Sequence, residues 1–234
     1  MGSPNFRFKQ FDVWHDRCAQ KVGTDGVLLG AWAQVEGCDS ILDIGTGSGL
    51  IALMMAQRAP KAKVVGVEID ADAAQQAREN VARSPFRDRI QIVQSDVRDY
   101  ESTVAFDCIV CNPPFFVEET LPDDSQRAMA RHTALLDFSD LIKAVSRLMN
   151  LDGIFTVILP MSCANEFVNQ CFMNGIFLVR QCQITTVSTK PPKRVMLAFS
   201  KTKHGDNSYE TLVLQERDGS RSEAYQRLTK DFYL

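Results

Sequence analysis

The stretch of sequence that decides the fold is Ile41-Leu42-Asp43-Ile44-Gly45-Thr46-Gly47-Ser48-Gly49-Leu50. A short apolar run ends here in three glycines at alternate positions, and a helical stretch from about residue 50 to residue 58 follows. Glycines have no Cβ, so the backbone can turn tightly and approach a ligand closely. The pattern predicts a strand, a ligand-binding loop and a helix, which together are the first unit of a doubly wound α/β sheet.

Short apolar runs and helical stretches alternate at regular spacing as far as residue 160. Strands separated by helices predict right-handed βαβ units, and therefore a parallel sheet with helices on both faces. The predicted strands cover residues 40–44, 62–69, 90–94, 106–111 and 154–159. The predicted helices between them cover residues 50–58, 71–83 and 136–150.

The C-terminal third has a different pattern. Residues 176–187 and 194–200 are two predicted strands joined by a connection that is too short for a crossover helix. Such a connection requires an antiparallel pair, which we expect at one edge of the sheet. Residues 211–214 are a further candidate strand, and residues 222–231 are a predicted final helix.

The composition is that of an ordinary globular protein, with 45% apolar residues, 24% charged residues and a formal net charge of −3. No apolar run approaches the ~20 residues needed to cross a membrane. The start of the chain lacks the charged segment and apolar stretch of a signal peptide. We therefore expect a cytoplasmic protein with no membrane partner, and the sequence indicates no obligate protein partner.

The seven cysteines are scattered along the chain, and no second Cys or His pair stands at metal-ligand spacing. Cys108 and Cys111 are three residues apart in a predicted strand, which places their side chains on opposite faces. We expect reduced, structural cysteines and no metal.

Charge is unevenly distributed, because residues 190–203 contain five basic residues and no acidic one. A short basic stretch is usually a solvated surface. Contact with phosphate groups is the alternative, and the net charge of the chain does not decide between the two.

A carboxylate accompanies the end of each of the first three strands, at Asp43, Glu68 and Asp96. A dinucleotide loop reads GxGxxG and directs a helix N-terminus at a pyrophosphate, whereas the glycines here run GxGxG. Asp43 would repel a pyrophosphate but suits the ammonium end of a methionine group through a bridging water. Glu68 suits two ribose hydroxyls, and Asp96 suits an adenine amino group. The pattern favours S-adenosylmethionine, and a dinucleotide is the alternative.

The fourth strand is followed directly by Asn112-Pro113-Pro114-Phe115. The prolines have no N–H, so they hold a rigid extended loop with free carbonyl oxygens. A conjugated amine is a poor nucleophile because its lone pair is delocalised. The Asn112 side-chain oxygen and the Pro113 carbonyl can each accept one of its hydrogens and favour a pyramidal nitrogen. Phe115 can stack on the planar group, which contributes roughly 1–3 kcal/mol. The motif predicts methyl transfer to such a nitrogen, catalysed mainly by positioning the amine for attack on the methyl carbon. The alternative is that the motif is a purely structural turn after the strand.

Together these motifs resemble the class I S-adenosylmethionine methyltransferases that carry an NPP[YF] motif and modify exocyclic amines. The flanking sequence is similar to that of the bacterial enzymes that methylate N6 of adenine 37 in tRNA1(Val). The segments that carry this narrower resemblance are residues 8–11, 15–18, 21–32, 194–200 and 222–225.

The resemblance implies one three-layer, Rossmann-like domain over residues 1–234. Its sheet would have seven mostly parallel strands in the order 3-2-1-4-5-7-6, with an antiparallel edge strand. Residues 1–34 would close the cofactor site, residues 35–160 would form the cofactor-binding core, and residues 161–234 would hold the antiparallel edge hairpin and the C-terminal helix.

The predicted site residues follow from the motifs and the resemblance together. The catalytic residues are Asn112, Pro113, Pro114 and Phe115. The residues that bind S-adenosylmethionine are Lys21, Gly23, Thr24, Asp43, Gly45, Gly47, Gly49, Glu68, Ile69, Asp96, Val97 and Asn112. The residues that contact tRNA are Lys190, Lys193, Arg194 and Arg131.

Other substrates and one other class of protein fit the same motifs. The chemistry also suits a protein glutamine amide or a DNA adenine. The absence of a separate N-terminal helical domain and the basic stretch favour RNA over protein. A non-catalytic RNA-binding protein that retains the fold is the alternative outside the enzymes, although binding alone needs no acceptors for an amine.

Overall fold

The computed structural model describes residues 4–114, 136–203, 205 and 207–234. The strands are β1 (Asn5–Arg7), β2 (Asp12–Trp14), β3 (Ser40–Ile44), β4 (Lys63–Glu68), β5 (Ile90–Gln94), β6 (Phe106–Cys111), β7 (Met149–Pro160), β8 (Phe177–Thr185), β9 (Arg194–Ser200) and β10 (Ser208–Val213). The helices are α1 (Thr24–Trp32), α2 (Leu50–Arg58), α3 (Ala71–Arg83), α4 (Phe138–Leu148), α5 (Ala164–Met173) and α6 (Glu223–Thr229).

The central sheet has the order β10-β8-β9-β7-β6-β3-β4-β5. Strands β3 to β7 are parallel, and β9 is antiparallel to both of its neighbours, β7 and β8. The arrangement confirms the predicted α/β, Rossmann-like class and the antiparallel pair of β8 and β9.

The predicted strand order 3-2-1-4-5-7-6 is confirmed by the order β5-β4-β3-β6-β7-β9-β8, but the predicted number of strands was wrong. The sheet has eight strands rather than seven, because β10 pairs with β8 in parallel. As the predicted order requires, the antiparallel strand β9 lies between β7 and β8, so β9 itself does not form the edge of the sheet. The candidate strand at residues 211–214 is therefore confirmed as part of β10, which begins earlier, at Ser208, where the side chains are exposed.

Apolar side chains on the two faces of the sheet form two separate cores. One core includes α1 and α2, and the other includes α4 and α5. Cys108 and Cys111 belong to opposite cores, which confirms the alternation predicted for β6. At the contact between α1 and α2 a Cβ on Gly30 would lie 2.6 Å from Met54 Sδ, so a larger residue at this position would require the Met54 side chain to move.

The topology brings the sequence motifs to one edge of the sheet. Strands β3 and β6 are parallel neighbours, with Ile44 opposite Cys111 at their carboxyl ends. The glycine loop follows β3 and leads toward β4 on one side, and Asn112 follows β6 on the other. This is a topological switch point, where open α/β sheets form their ligand crevice.

A short N-terminal hairpin, β1 and β2, was not predicted from the sequence. Asn80 of α3, which is fully buried, holds it in place. The Asn80 amide donates to the carbonyl oxygens of Trp14 and Ser48, both at 2.8 Å, and accepts from the Trp14 N–H at 3.0 Å. One side chain therefore joins the hairpin to the glycine loop.

Candidate active site

The glycine loop after β3 has the backbone conformation that its sequence predicts. Gly45, Gly47 and Gly49 have φ angles of 68°, 54° and 81°, a region that costs other residues about 1–2 kcal/mol. No atom lies within 4 Å of the position that a Cβ would take on Gly45 or Gly47, so the loop borders open space there. The Gly47 N–H donates to Glu68 Oε2 at 2.8 Å, which ties the loop to the end of β4.

Asp43 lies beneath this loop and is completely buried. Its Oδ2 accepts from the Thr46 hydroxyl at 2.6 Å and from the Ala52 N–H at 3.0 Å. Its Oδ1 has no hydrogen-bond partner among the described residues. Burial raises the pKa of the carboxyl to about 7, although the bonds from Thr46 and Ala52 act in the opposite direction. Asp43 Oδ2 thus joins the loop to α2 through two hydrogen bonds, and Oδ1 accepts none from the described residues.

A cavity of about 320 Å³ lies at the carboxyl ends of β3, β4 and β6. Its lining includes six residues predicted for the cofactor, which are Gly45, Glu68, Ile69, Asp96, Val97 and Asn112. It also includes Asn112, Pro113 and Pro114 of the predicted catalytic motif. Ile69 is half exposed and offers this cavity an apolar surface.

Arg98 also lines this cavity, and the sequence did not single it out. Its backbone N–H and its Nε each donate to the Asp96 carboxylate at 2.9 Å. The guanidinium hydrogen bond lowers the pKa of Asp96, so this carboxylate stays ionised. Arg98 also approaches Asp140 of α4 to 3.7 Å.

A second cavity, of about 460 Å³, lies beside the first, and Gln20, Gly45 and Asn112 line both. Its lining includes Lys21, Gly23 and Thr24, the N-terminal residues predicted to bind the cofactor. The segment before them is anchored on α3, where the side chain of Gln76 accepts from the Arg17 N–H at 3.0 Å and donates to Asp16 at 2.6 Å.

Asn112 stands where the two cavities meet. A Cβ on Gly26 of α1 would lie 3.9 Å from Asn112 Nδ2, so the amide packs close to the start of that helix. Pro113 is buried and Pro114 is exposed. The predicted aromatic of the motif, Phe115, and the predicted RNA contact Arg131 lie outside the described residues.

The basic stretch of residues 190–203 is divided between the two ends of β9. Lys190 and Lys193 are exposed in the connection before β9, at the carboxyl edge of the sheet. At the opposite end, Lys201 Nζ donates to the Met149 carbonyl at 2.6 Å and Lys203 lies 5.1 Å from the ring centroid of Phe177. Only the first end can take part in a surface around the cavities.

The described part of the chain has no group of three or more His, Cys, Asp or Glu side chains that could hold a metal ion. Burial raises the pKa of the Cys111 thiol, which lines the first cavity, well above its ordinary value. Among the described helices, none is long and apolar enough to span a membrane.

Comparison with solved structures supports the fold. A predicted O-methyltransferase from Agrobacterium tumefaciens superposes with a TM-score of 0.69 at 20% identity, over 89% of this chain and 96% of the other. The glycopeptide N-methyltransferase MtfA, in complex with S-adenosyl-L-homocysteine, superposes with a TM-score of 0.57 at 13% identity, over 79% of this chain and 92% of the other. At these identities the likeness shows the methyltransferase fold alone.

Sequence comparison gives a closer relationship. A family model described as the methyltransferase small domain matches residues 23–136. The tRNA1(Val) (adenine(37)-N6)-methyltransferase of Bacteroides thetaiotaomicron is 47% identical over 235 residues, which cover 100% of this chain and 99% of the relative. The enzyme of the same name from Klebsiella pneumoniae is 43% identical over 232 residues, which cover 98% and 94%. The chain therefore belongs to the tRNA1(Val) (adenine(37)-N6)-methyltransferase family.

Proposed function

We propose that this protein transfers the methyl group of S-adenosylmethionine to N6 of an adenine in tRNA, namely adenine 37 of tRNA1(Val). The names of its full-length relatives support this substrate. The observation that carries the chemistry is the position of Asn112 at the carboxyl end of β6, where the two cavities meet. Because the substrate is a tRNA, we also propose that the protein acts in the cytoplasm.

The residues around the two cavities fit the proposed cofactor. The first cavity combines the Glu68 carboxylate, which suits ribose hydroxyls, with the exposed apolar side chain of Ile69, which suits a planar base. Gly45 lines both cavities, and its positive φ angle favours glycine, so no side chain extends into either cavity from this position. The unused Asp43 Oδ1 lies below the same loop and can accept a hydrogen bond from a water that solvates an ammonium group.

In this assignment S-adenosylmethionine, when bound, supplies a methyl carbon on a sulfonium, which is already a good leaving group. The Asn112 side-chain oxygen and the Pro113 carbonyl would accept hydrogen bonds from the two N–H groups of the adenine amine and orient its lone pair toward that carbon. The proton that the methylated nitrogen then loses would pass to water. Pro113 and Pro114 keep these acceptors rigid, because proline fixes φ and has no N–H of its own. Catalysis by positioning needs no general base, which agrees with a site where the Cys111 thiol stays protonated.

We propose that tRNA approaches over the carboxyl edge of the sheet. Lys190 and Lys193 are exposed there and can contact phosphates, which are the dominant source of affinity for nucleic acids. The target base must leave its stack to reach Asn112, as in other enzymes that modify a base. Arg131, predicted as an RNA contact, belongs to the same proposal.

The test is a transfer assay with tritiated S-adenosylmethionine. The purified protein is incubated separately with total tRNA, ribosomal RNA, genomic DNA and a protein extract, all from a strain that lacks the gene. We expect label in tRNA, recovered after digestion as N6-methyladenosine from a valine isoacceptor. Label in protein or DNA would overturn the substrate and keep the chemistry, and cofactor binding without label in any fraction would leave a binding protein.

A further inference from the structure

Arg194 has a different setting from the lysines that precede it. It is the first residue of β9, paired in register with Pro160 of β7 and Ile184 of β8. Its Nε donates to Asp25 Oδ2, in the first turn of α1, at 3.0 Å. About a third of each of the two side chains is exposed, 38% for Arg194 and 33% for Asp25. The guanidinium is therefore held between the sheet and α1 rather than extended into solvent.

Arg194 and Asp25 both line the second cavity, together with Lys21, Thr46 and Ser48. Within the described residues, the Arg194 Nη2 group makes no hydrogen bond, whereas Nε is used by Asp25 and Nη1 reaches the Lys193 carbonyl at 3.3 Å. A guanidinium carries five N–H donors in a fixed planar fork, which matches the two oxygens of a carboxylate. The cavity thus offers an anion a preoriented donor.

The negative charges near the glycine loop mean that a carboxylate of the cofactor requires a cationic partner. Asp43 and Glu68 are carboxylates close to the glycine loop, and they disfavour a second negative charge there. The methionine group of the proposed cofactor carries a carboxylate as well as an ammonium. The candidate cations of the second cavity are Lys21, which is exposed at the surface, and Arg194, which is fixed by Asp25.

We propose that Arg194 binds the α-carboxylate of the cofactor's methionine group, and that Asp25 is a positioning residue that orients its guanidinium. The inference rests on the proposed function, since it assigns the methionine end to the second cavity. It also replaces the tRNA contact that the sequence predicted for Arg194. Lys190 and Lys193 keep that role, so the connection before β9 would contact tRNA while its last residue contacts the cofactor.

The test compares two ligands by titration calorimetry in the absence of RNA. S-adenosylmethionine has the carboxylate, and decarboxylated S-adenosylmethionine lacks only that group. For Arg194→Gln we expect S-adenosylmethionine to bind about tenfold to a hundredfold more weakly, the range for a charge-assisted hydrogen bond. The decarboxylated ligand should bind within about twofold of the wild-type affinity, which also shows that the variant is folded. Lys190→Gln is the matched control from the same connection, and it should leave both affinities unchanged.

Two further measurements separate the assigned roles. Asp25→Ala should weaken S-adenosylmethionine binding selectively but less than Arg194→Gln, because it removes the acceptor that orients the guanidinium and leaves the guanidinium itself. In a filter-binding assay, Lys190→Gln should weaken tRNA binding and Arg194→Gln should not.

Equal weakening of both ligands by Arg194→Gln, or no weakening of either, overturns the inference and leaves the proposed function intact. Loss of tRNA affinity in Arg194→Gln with unchanged S-adenosylmethionine affinity restores the RNA contact in its place. If wild-type protein binds neither ligand, the proposed function fails and the inference fails with it.

Discussion

Replacing the buried carboxylate of Asp43 with the neutral amide of Asn changes how the stability of the protein depends on pH. Asp43 is completely buried, and only its Oδ2 receives hydrogen bonds from described residues. Burial raises its pKa from 3.8 to about 7, with a smaller contribution in the same direction from the charge of Glu68. Asn keeps an oxygen to accept from Thr46 and Ala52 but cannot ionise.

The sign and the size of the effect follow from the two pKa values. The folded protein holds the Asp43 proton more tightly than the unfolded chain does. This contribution to stability is therefore complete below about pH 4 and is lost as the pH rises through about 7. A difference of about three pKa units corresponds to about 4 kcal/mol, of which about 3 kcal/mol falls between pH 5 and pH 8. Over that interval the wild type should lose stability relative to Asp43→Asn.

The assay is urea unfolding of both proteins at several pH values across this range, without cofactor, with the free energy of unfolding taken from each midpoint and slope. Asp39→Asn, which removes an exposed carboxylate just before β3, controls for a general change in net charge. If the curves for wild type and Asp43→Asn run parallel from pH 5 to pH 8, Asp43 is ionised throughout and the reasoning from burial is wrong.

Two further predictions concern the chemistry and the scaffold. Asn112→Ala should lower kcat by about 100-fold or more, the usual cost of removing a preorganised polar group from a transition state, and should weaken S-adenosylmethionine binding by much less. Single-turnover assays with tRNA and calorimetry with the cofactor check this, and a normal kcat would exclude the acceptor role. Arg89→Ala should lower the free energy of unfolding by about 1.5–3 kcal/mol. The reason is that the Arg89 guanidinium donates at 2.6–3.3 Å to three carbonyls in and just after α2. Urea unfolding measures the loss, and an unchanged midpoint would show that water replaces these hydrogen bonds.

The core of the fold could be predicted closely from the sequence because its signals are local. Strands β3, β5, β6 and β9 and helices α2 and α3 have the predicted bounds. Each is a continuous apolar run or a strong helix former between clear breaks. The Asp70 side chain, for example, accepts from the Ala73 N–H at 2.8 Å and fixes the start of α3.

The elements that were missed have weak local signals. Strands β1 and β2 have three residues each and are held by Asn80, which is far away in the chain. Helix α5 follows a short 3-10 turn and has no side-chain N-cap, so nothing in its sequence marks its beginning.

The candidate site likewise contains residues that could be predicted from the sequence and residues that could not. Glu68, Asp96 and Asn112 could be placed together because each lies at or just after the end of a parallel strand, and such strands end at one edge of the sheet. The pair of Arg194 and Asp25 could not be predicted, since 169 residues separate its members and neither has a distinctive pattern. Arg98 stands two residues after Asp96, yet only the fold shows that it turns back onto that carboxylate.

The hydrogen bonds of Asn80 connect the glycine loop to a tryptophan, whose fluorescence can serve as an intrinsic probe. The chain has two tryptophans. Trp14 is partly exposed, lies 5.8 Å from the guanidinium of Arg83, and shares Asn80 with the glycine loop. Trp32 is buried and lies 4.1 Å from the guanidinium of Arg180. We therefore expect a ligand that shifts the glycine loop to move the backbone of Trp14 through the shared Asn80 amide, and so to alter the surroundings of its indole and its fluorescence emission. In a Trp32→Phe background this single emission can follow cofactor binding in real time, without any label.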